Sequence, residues 1–344
     1  MKEVYLLSAK QISAQQPLSE SWMETPERYE EPYVRAIDPD YKYYFPANVT
    51  RRLGKLLKRA LLTSRQAMEE RQAEQVDAII TGTGLGCIEN TELFLTALTR
   101  EGEYCLKPTH FMQSTHNTIG SLIAISSKTQ GYNSTYTHKG ISFECALMDA
   151  FIQLKNEQIA TALVGAHDEM TPDYFTQLKR IGYLGQSEEG FGSETAVSLL
   201  LGTEKEKALC RLRGIEMSYR PDTAGLQELF DRFLQQCGCE LAEIDAVMLG
   251  VNGVAATDKI YEQSHQQLFP TLPRLHYKQL FGESYTAPAL GFYAAATCLQ
   301  QQRIPAHLFL DQGMQEQRGV RHILCYNQFE NKNHTFILLS SCGD

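Results

Sequence analysis

No stretch of this 344-residue chain comes near the ~18 consecutive apolar residues that a membrane span needs, so no transmembrane segment is expected. A basic excess is also missing: 32 lysines and arginines stand against 41 aspartates and glutamates, for a formal net charge of −9. A dedicated nucleic-acid binder shows the opposite balance, which argues against that class. There is no low-complexity segment and no stretch with the composition of a flexible linker. P-loop, H-E-x-x-H and metal-ligating histidine clusters are absent, so no metal and no cofactor is expected. Cysteine pairs at C-x-x-C spacing are absent too. The nine cysteines, at 87, 105, 145, 210, 237, 239, 298, 325 and 342, are odd in number, and several lie in apolar runs such as HILCYNQF. They read as reduced, mostly buried thiols of a cytoplasmic protein, not as a disulfide framework. Cys237-Gly238-Cys239 has no second pair to complete a metal site and reads as a loop after a helix.

What is present is the composition of an ordinary folded protein, 43% hydrophobic and 21% charged, with chain enough for about two domain-sized units. The N-terminal MKEVYLLSAK reads as a first strand, too mixed for a signal peptide. Two segments repeat one another: VDAIITG at 76–82 and IDAVMLG at 244–250. Each is an apolar strand entered from a polar helix and left through a glycine-containing loop. Each is followed downstream by an Ala-containing helix and a short strand, CALMDAFIQLKNEQIATALVG in one half and APALGFYAAATCLQQQRIPAHLFL in the other. The pattern predicts one α/β unit used twice, residues 1–205 and 206–344, packed as a single body, with the boundary in the charged TEKEKA. Continuous apolar strands alternating with helices indicate sheets covered on both faces. Helices are expected over Val49–Met68, Met112–Lys128 and Thr223–Gln236. The second carries a polar insert, Ser114 to Thr118, that reads as a cap region.

Gly131 to Gly165 carries the most chemistry. It reads as a short strand, a tight elbow at Lys139-Gly140, an apolar helix and a second strand. Thioester enzymes place a nucleophile on such a turn, where the helix dipole and free N–H groups favour a thiolate and an oxyanion. The elbow residue here is Gly140, which has no side chain to attack with.

Three further matches share the same order along the chain: TGTGLG at 81–86 after a strand, GYN at 131–133 ahead of the elbow, and YKQLFGESYTAPALG at 277–291 before an Ala-rich helix. Together they resemble the β-ketoacyl-[acyl-carrier-protein] synthases. That resemblance implies the thiolase-like fold, a duplicated αβαβα layered sandwich. It also implies where the family's functional positions fall. The nucleophilic cysteine falls on Gly140, the first histidine on Gly250 and the second on Glu283, while the family's lysine is kept as Lys278. The gating loop near the C-terminus keeps Asn327 and Phe329 but loses its glycines. The segment between Asp168 and Gly192 is shorter than in typical members. Decarboxylative condensation needs a thiolate and two histidine donors, which two glycines and a carboxylate do not supply.

The resemblance therefore implies a chain-length-factor-like subunit, a vacated homologue that dimerises with an active ketosynthase and shapes its acyl tunnel. The strand Tyr132–Thr137 would join its mate's sheet. His116 and Asn117, with Phe329, are the tunnel candidates. The implied substrate carrier is an acidic acyl carrier protein, and the basic run Arg51, Arg52, Lys55, Lys58 and Arg59 is the candidate docking face. Fatty-acid or polyketide biosynthesis, and within it a pathway of the aryl-polyene or flexirubin type, is the implied setting. An alternative stays open: an acyl-transferring or condensing enzyme with a displaced nucleophile, Cys145 or Ser142, assisted by His138 and Glu283. TGTGLG is not a dinucleotide loop, since its third glycine is misplaced for G-x-G-x-x-G.

Overall fold

The structure, a computed structural model, describes residues 2–184 and 190–343. Five strands form the first half: β1 (Val4–Ile12), β2 (Ala78–Gly82), β3 (Tyr132–Tyr136), β4 (Thr161–Asp168) and β5 (Thr195–Gly202). The second half contributes β6 (Cys210–Tyr219), β7 (Ala246–Leu249) and β8 (Arg274–His276). A short ribbon of β9 (Arg303–Ile304) and β10 (Gln317–Arg318) follows, and then β11 (His322–Phe329) and β12 (Asn333–Ser340). Ten of these strands form one sheet in the order β3-β2-β4-β5-β1-β6-β12-β11-β7-β8. Read outward from the centre, the two halves are one pattern. β1, β5, β4, β2 and β3 correspond to β6, β12, β11, β7 and β8. The repeated segments are β2 and β7, each pairing in parallel with both of its neighbours. The halves are joined where Val4 to Leu6 runs antiparallel to Leu212 to Cys210.

The helices are α1 (Ala47–Thr50), α2 (Lys55–Glu70), α3 (Ile88–Glu101), α4 (Pro108–Ser114), α5 (Thr118–Ser127) and α6 (Ser142–Lys155) in the first half. They continue with α7 (Pro172–Arg180), α8 (Thr223–Cys237), α9 (Ala255–Leu268), α10 (Lys278–Phe281) and α11 (Pro288–Gln301). α2 and α5 cover the outer face of the first half, with Leu56, Leu57 and Ile123 packed on Ile79, Leu163 and Leu200. α6 and α11 form the middle layer, where Phe143, Leu147 and Phe292 lie between Ile80 and Val164 of one half and Met248 and Ile337 of the other. α8 and α9 close the far side through Phe230, Phe233 and Tyr261 against Val247, Tyr326 and Phe336. Five layers, α/β/α/β/α, follow from strands apolar on both faces. Deleting a central ring such as Phe143 would cost ~3–5 kcal/mol.

Two expected helices are each broken, one by a distant side chain and one by local hydroxyl bonds. The helix expected over Val49–Met68 stops after Thr50 and restarts at Lys55. Gln113 holds the intervening backbone, accepting from the Gly54 N–H at 3.2 Å and donating to the Arg52 carbonyl at 2.7 Å. The helix expected over Met112–Lys128 divides at Thr115, which is extended. The Thr118 hydroxyl donates to the Met112 carbonyl at 2.8 Å and meets the Thr115 hydroxyl at 2.8 Å, replacing helical bonds with side-chain ones. α8 instead begins as expected, with Asp222 capping the Gly225 N–H at 2.7 Å, and ends at Gly238 in the left-handed region. The eight cysteines whose side chains are described are free. Cys105 and part of the shortened segment between Asp168 and Gly192 lie outside that description. Among the described residues no helix is long and apolar enough to cross a membrane.

Candidate functional site

The elbow lies at the carboxyl end of β3, where a short turn from Lys139 to Ile141 turns the chain into α6. Lys139 takes the left-handed conformation, φ 48°, that the sharp reversal demands. The Ser142 hydroxyl, fully buried, pins the turn: it accepts from the His138 N–H at 2.8 Å and lies 3.0 Å from the Thr83 carbonyl, to which it donates. It is occupied in holding the turn to the loop that follows β2. That loop, TGTGLG, is gripped from the other side by Asp168. The Asp168 carboxylate accepts from the Thr83 hydroxyl at 2.7 Å and from the N–H groups of Gly84 at 2.9 Å and Leu85 at 2.7 Å. Those N–H groups are committed to an internal anion, so the loop has none of them to offer a phosphate.

At Gly140 there is no room for a side chain. A Cβ built there would lie 2.3 Å from Cδ2 of Phe329, whose ring comes from the end of β11. Gly250, after β7, is closed in the same way. A Cβ there would lie 2.4 Å from the Tyr261 hydroxyl, which α9 delivers. Tyr261 donates to Asn327 Oδ1 at 2.9 Å, and Asn327 Nδ2 donates to the Gly140 carbonyl at 3.1 Å and to Glu144 Oε1 at 2.5 Å. One asparagine on β11 thus ties the elbow, the first turn of α6 and α9 together. Glu144 is wholly buried, and burial pushes its carboxyl up to about 7; its Oε2 has no partner. The sequence reading missed it. The available signal was a single carboxylate on the apolar face made by Phe143, Ala146, Leu147 and Ala150.

Lys278 and Glu283 are brought together as a buried ion pair, with Nζ to Oε2 at 2.6 Å. Asn252 donates a second hydrogen bond to the same carboxylate oxygen at 2.7 Å. A cavity of about 270 Å³ lies over this group, lined by Lys139, Gly140, Thr257, Lys278, Asn327 and Phe329 among others. A larger one of about 880 Å³ opens on the far side of Asn252 and Glu283, toward Glu31, Phe191 and His276. Burial holds His276 down to about 4, so its imidazole is neutral near pH 7. Among the described residues no cysteine lines either cavity. Among the described residues no group of three or more His, Cys, Asp and Glu side chains is set to hold a metal ion.

The remaining sequence candidates are dispersed. Cys145 lies one turn beyond the elbow on the outer side of α6, and burial, aided by the Glu144 carboxylate, pushes its thiol up to about 11. His138 is exposed. His116 and Asn117 are exposed at the start of α5 and line neither cavity. The basic face is corrected at Arg59. Its side chain is wholly buried, 2.7 Å from Asp38 and 2.9 Å from Glu194, because it lies on the inner side of α2 beside Leu56 and Thr63. Arg51 and Arg52 are exposed, Lys55 is half exposed and 3.9 Å from Asp38, and Lys58 lies over the Tyr41 ring.

Residues 21–236, more than half of the chain, match the family described as β-ketoacyl synthase, N-terminal domain. No curated protein sequence matches. Solved structures match over almost the whole chain at low identity. The ishigamide ketosynthase/chain length factor superposes with a TM-score of 0.84 at 15% identity, covering 99% of this chain and 100% of its own. A β-ketoacyl synthase from Burkholderia phymatum gives 0.83 at 12% identity, with the same coverage. A ketosynthase in complex with its chain length factor from Xenorhabdus doucetiae gives 0.81 at 15%, covering 99% of this chain and 98% of that one. The thiolase-like layering is therefore the fold of these proteins.

Proposed function

Because the chain belongs to the β-ketoacyl synthase family and a phenylalanine ring fills the space beside its elbow, we propose that it is a chain-length-factor-like subunit without the Cys-His-His set. It acts beside an active ketosynthase in fatty-acid or polyketide biosynthesis, in a pathway of the aryl-polyene type. The observation that carries the reading is Gly140 against Phe329. A condensing enzyme must hold an acyl chain on a thiolate, and here the volume of that thiol belongs to an aromatic ring. Tyr261 stands against Gly250 and Glu283 is neutralised by Lys278, so neither position offers an imidazole N–H to a developing oxyanion. A carboxylate at Glu283 would oppose an enolate.

Partnering is supported by β3, a sheet edge with one side unpaired, and by Ile152, 47% exposed on the α6 helix that packs on it. His116 and Asn117, at the start of the helix that packs on β2 and β3, would reach the partner's acyl chain across this edge. Arg51, Arg52, Lys55 and Lys58 would steer an acyl carrier protein. The cytoplasm is the setting for such partners.

Intact-mass analysis after incubation with an acyl-carrier-protein thioester tests the reading, with a cysteine-bearing ketosynthase as the acylated control. No adduct on this chain, together with co-purification of the ketosynthase, is the expected result. An acyl group mapped to Cys145 or Ser142 would overturn it and make the chain an enzyme with a displaced nucleophile.

A further inference from the structure

The edge of the sheet holds a charge that the proposed partnering does not by itself explain. Tyr132, Ser134 and Tyr136 of β3 share one face of the strand, following its alternation. On that face both tyrosine hydroxyls donate to the same oxygen of Asp149, at 3.1 Å and 3.0 Å. Gln153 donates to the other oxygen at 2.8 Å. Asp149 is thus fixed between Tyr132 and Tyr136, over the middle of the strand at Ser134. It is partly exposed, and from Cys145 to Gln153 it is the one charged residue of α6. β3 itself contains none.

Self-pairing would be harmful in this geometry. A copy of the chain adding antiparallel to β3 pairs all five strand residues when the twofold axis passes at Ser134, with Tyr132 opposite Tyr136 of the copy. An axis perpendicular to the sheet keeps both α6 helices on the same face. The two Asp149 carboxylates, each on its own α6 and held over its strand by Tyr132 and Tyr136, then face one another across strands ~4.8 Å apart, with apolar Ile152 from each side excluding water. Like charges so placed repel, and burial deepens the effect. No lysine or arginine of β3, or of α6 between Cys145 and Gln153, is there to relieve it.

We infer that Asp149 makes this edge selective for a different chain, one that sets a lysine or arginine against Asp149 where its own edge strand joins β3. The inference rests on the proposed partnering with a ketosynthase and names the chemistry that chooses hetero- over homodimer.

The test has two arms. In the first, the chain alone is measured by sedimentation velocity at ~10 μM. The wild type should be monomeric, and Asp149→Asn, which keeps acceptors for the tyrosines, should self-associate at least tenfold more tightly. Adding Ile152→Lys should abolish that gain and so assign it to this face. A wild type that already forms a homodimer which Asp149→Asn does not tighten would overturn the inference. In the second arm, affinity for the co-expressed ketosynthase should fall at least tenfold in Asp149→Lys and return when the facing cation is reversed to glutamate. Undiminished affinity in Asp149→Lys would overturn the inference while leaving the partnering intact. If no ketosynthase binds even the wild type, the partnering reading fails, and the first arm still decides the role of Asp149.

Discussion

The elbow site and the β3 edge are opposites. At the site a ring stands against Gly140, a phenol against Gly250, and a lysine pairs with Glu283, beneath a small cavity. Along β3 apolar side chains stand in solvent and one side of the sheet is unpaired. The contrast teaches that a glycine position can be walled by side chains from distant elements: Phe329 and Tyr261 pack against Gly140 and Gly250 and add dispersion contacts there.

The strongest way to break the comparison is to reopen the interior. Lys278→Ala strands Glu283 as a buried, unpaired carboxylate and should cost ~3–5 kcal/mol in urea unfolding, whereas replacing both residues by apolar ones of similar volume should cost far less. Equal losses in the two variants would show that the pair is not what holds this wall.

Glu144 gives the next effect and a definite pH dependence. Burial lifts its carboxyl from the ordinary 4.5 to about 7, so the folded chain keeps the proton to higher pH than the unfolded chain does. The stability this contributes is complete below about pH 4.5 and is lost as pH rises through 7. Glu144→Gln should therefore be roughly 2–3 kcal/mol more stable than wild type at pH 8 and nearly equal to it at pH 4, measured as the difference between two denaturation series. A pH-independent difference would remove titration from the account.

Adding a side chain at the elbow should be mildly harmful. Gly140→Cys drives a Cβ into the Phe329 ring and should cost ~1–3 kcal/mol. Phe329→Ala in the same chain should recover part of that loss, a coupling readable in a double-mutant cycle. The smallest effect on folding sharpens the contrast most. Ile152→Lys lies on the exposed edge and should change stability by no more than about 0.5 kcal/mol, yet prevent capture of a ketosynthase partner.

Legibility followed the same division. VDAIITG and IDAVMLG marked β2 and β7 because a strand buried on both faces writes itself as an unbroken apolar run. Asp222 and Gly238 marked the ends of α8 because capping is local. The breaks at Gly54 and Thr115 were not legible as breaks. Gln113 stops the first from 59 residues away, and the second turns on hydroxyl bonds that compete with the helix. Arg59 looked like its exposed neighbours because its two carboxylates, at 38 and 194, are distant in sequence.

At the site, the sequence alone determined the absence: a glycine at position 140 offers no side chain in any fold. It also determined the duplicated α/β plan, through the period and continuity of its apolar residues. Only the tertiary structure decided which side chains stand against these positions. Phe329 lies 189 residues from Gly140, Asn327 lies 183 from Glu144, and Tyr261 meets Asn327 across 66. Such contacts depend on the two halves of the sheet closing over α6 and α11, and no local pattern encodes which distant ring will fill a given space.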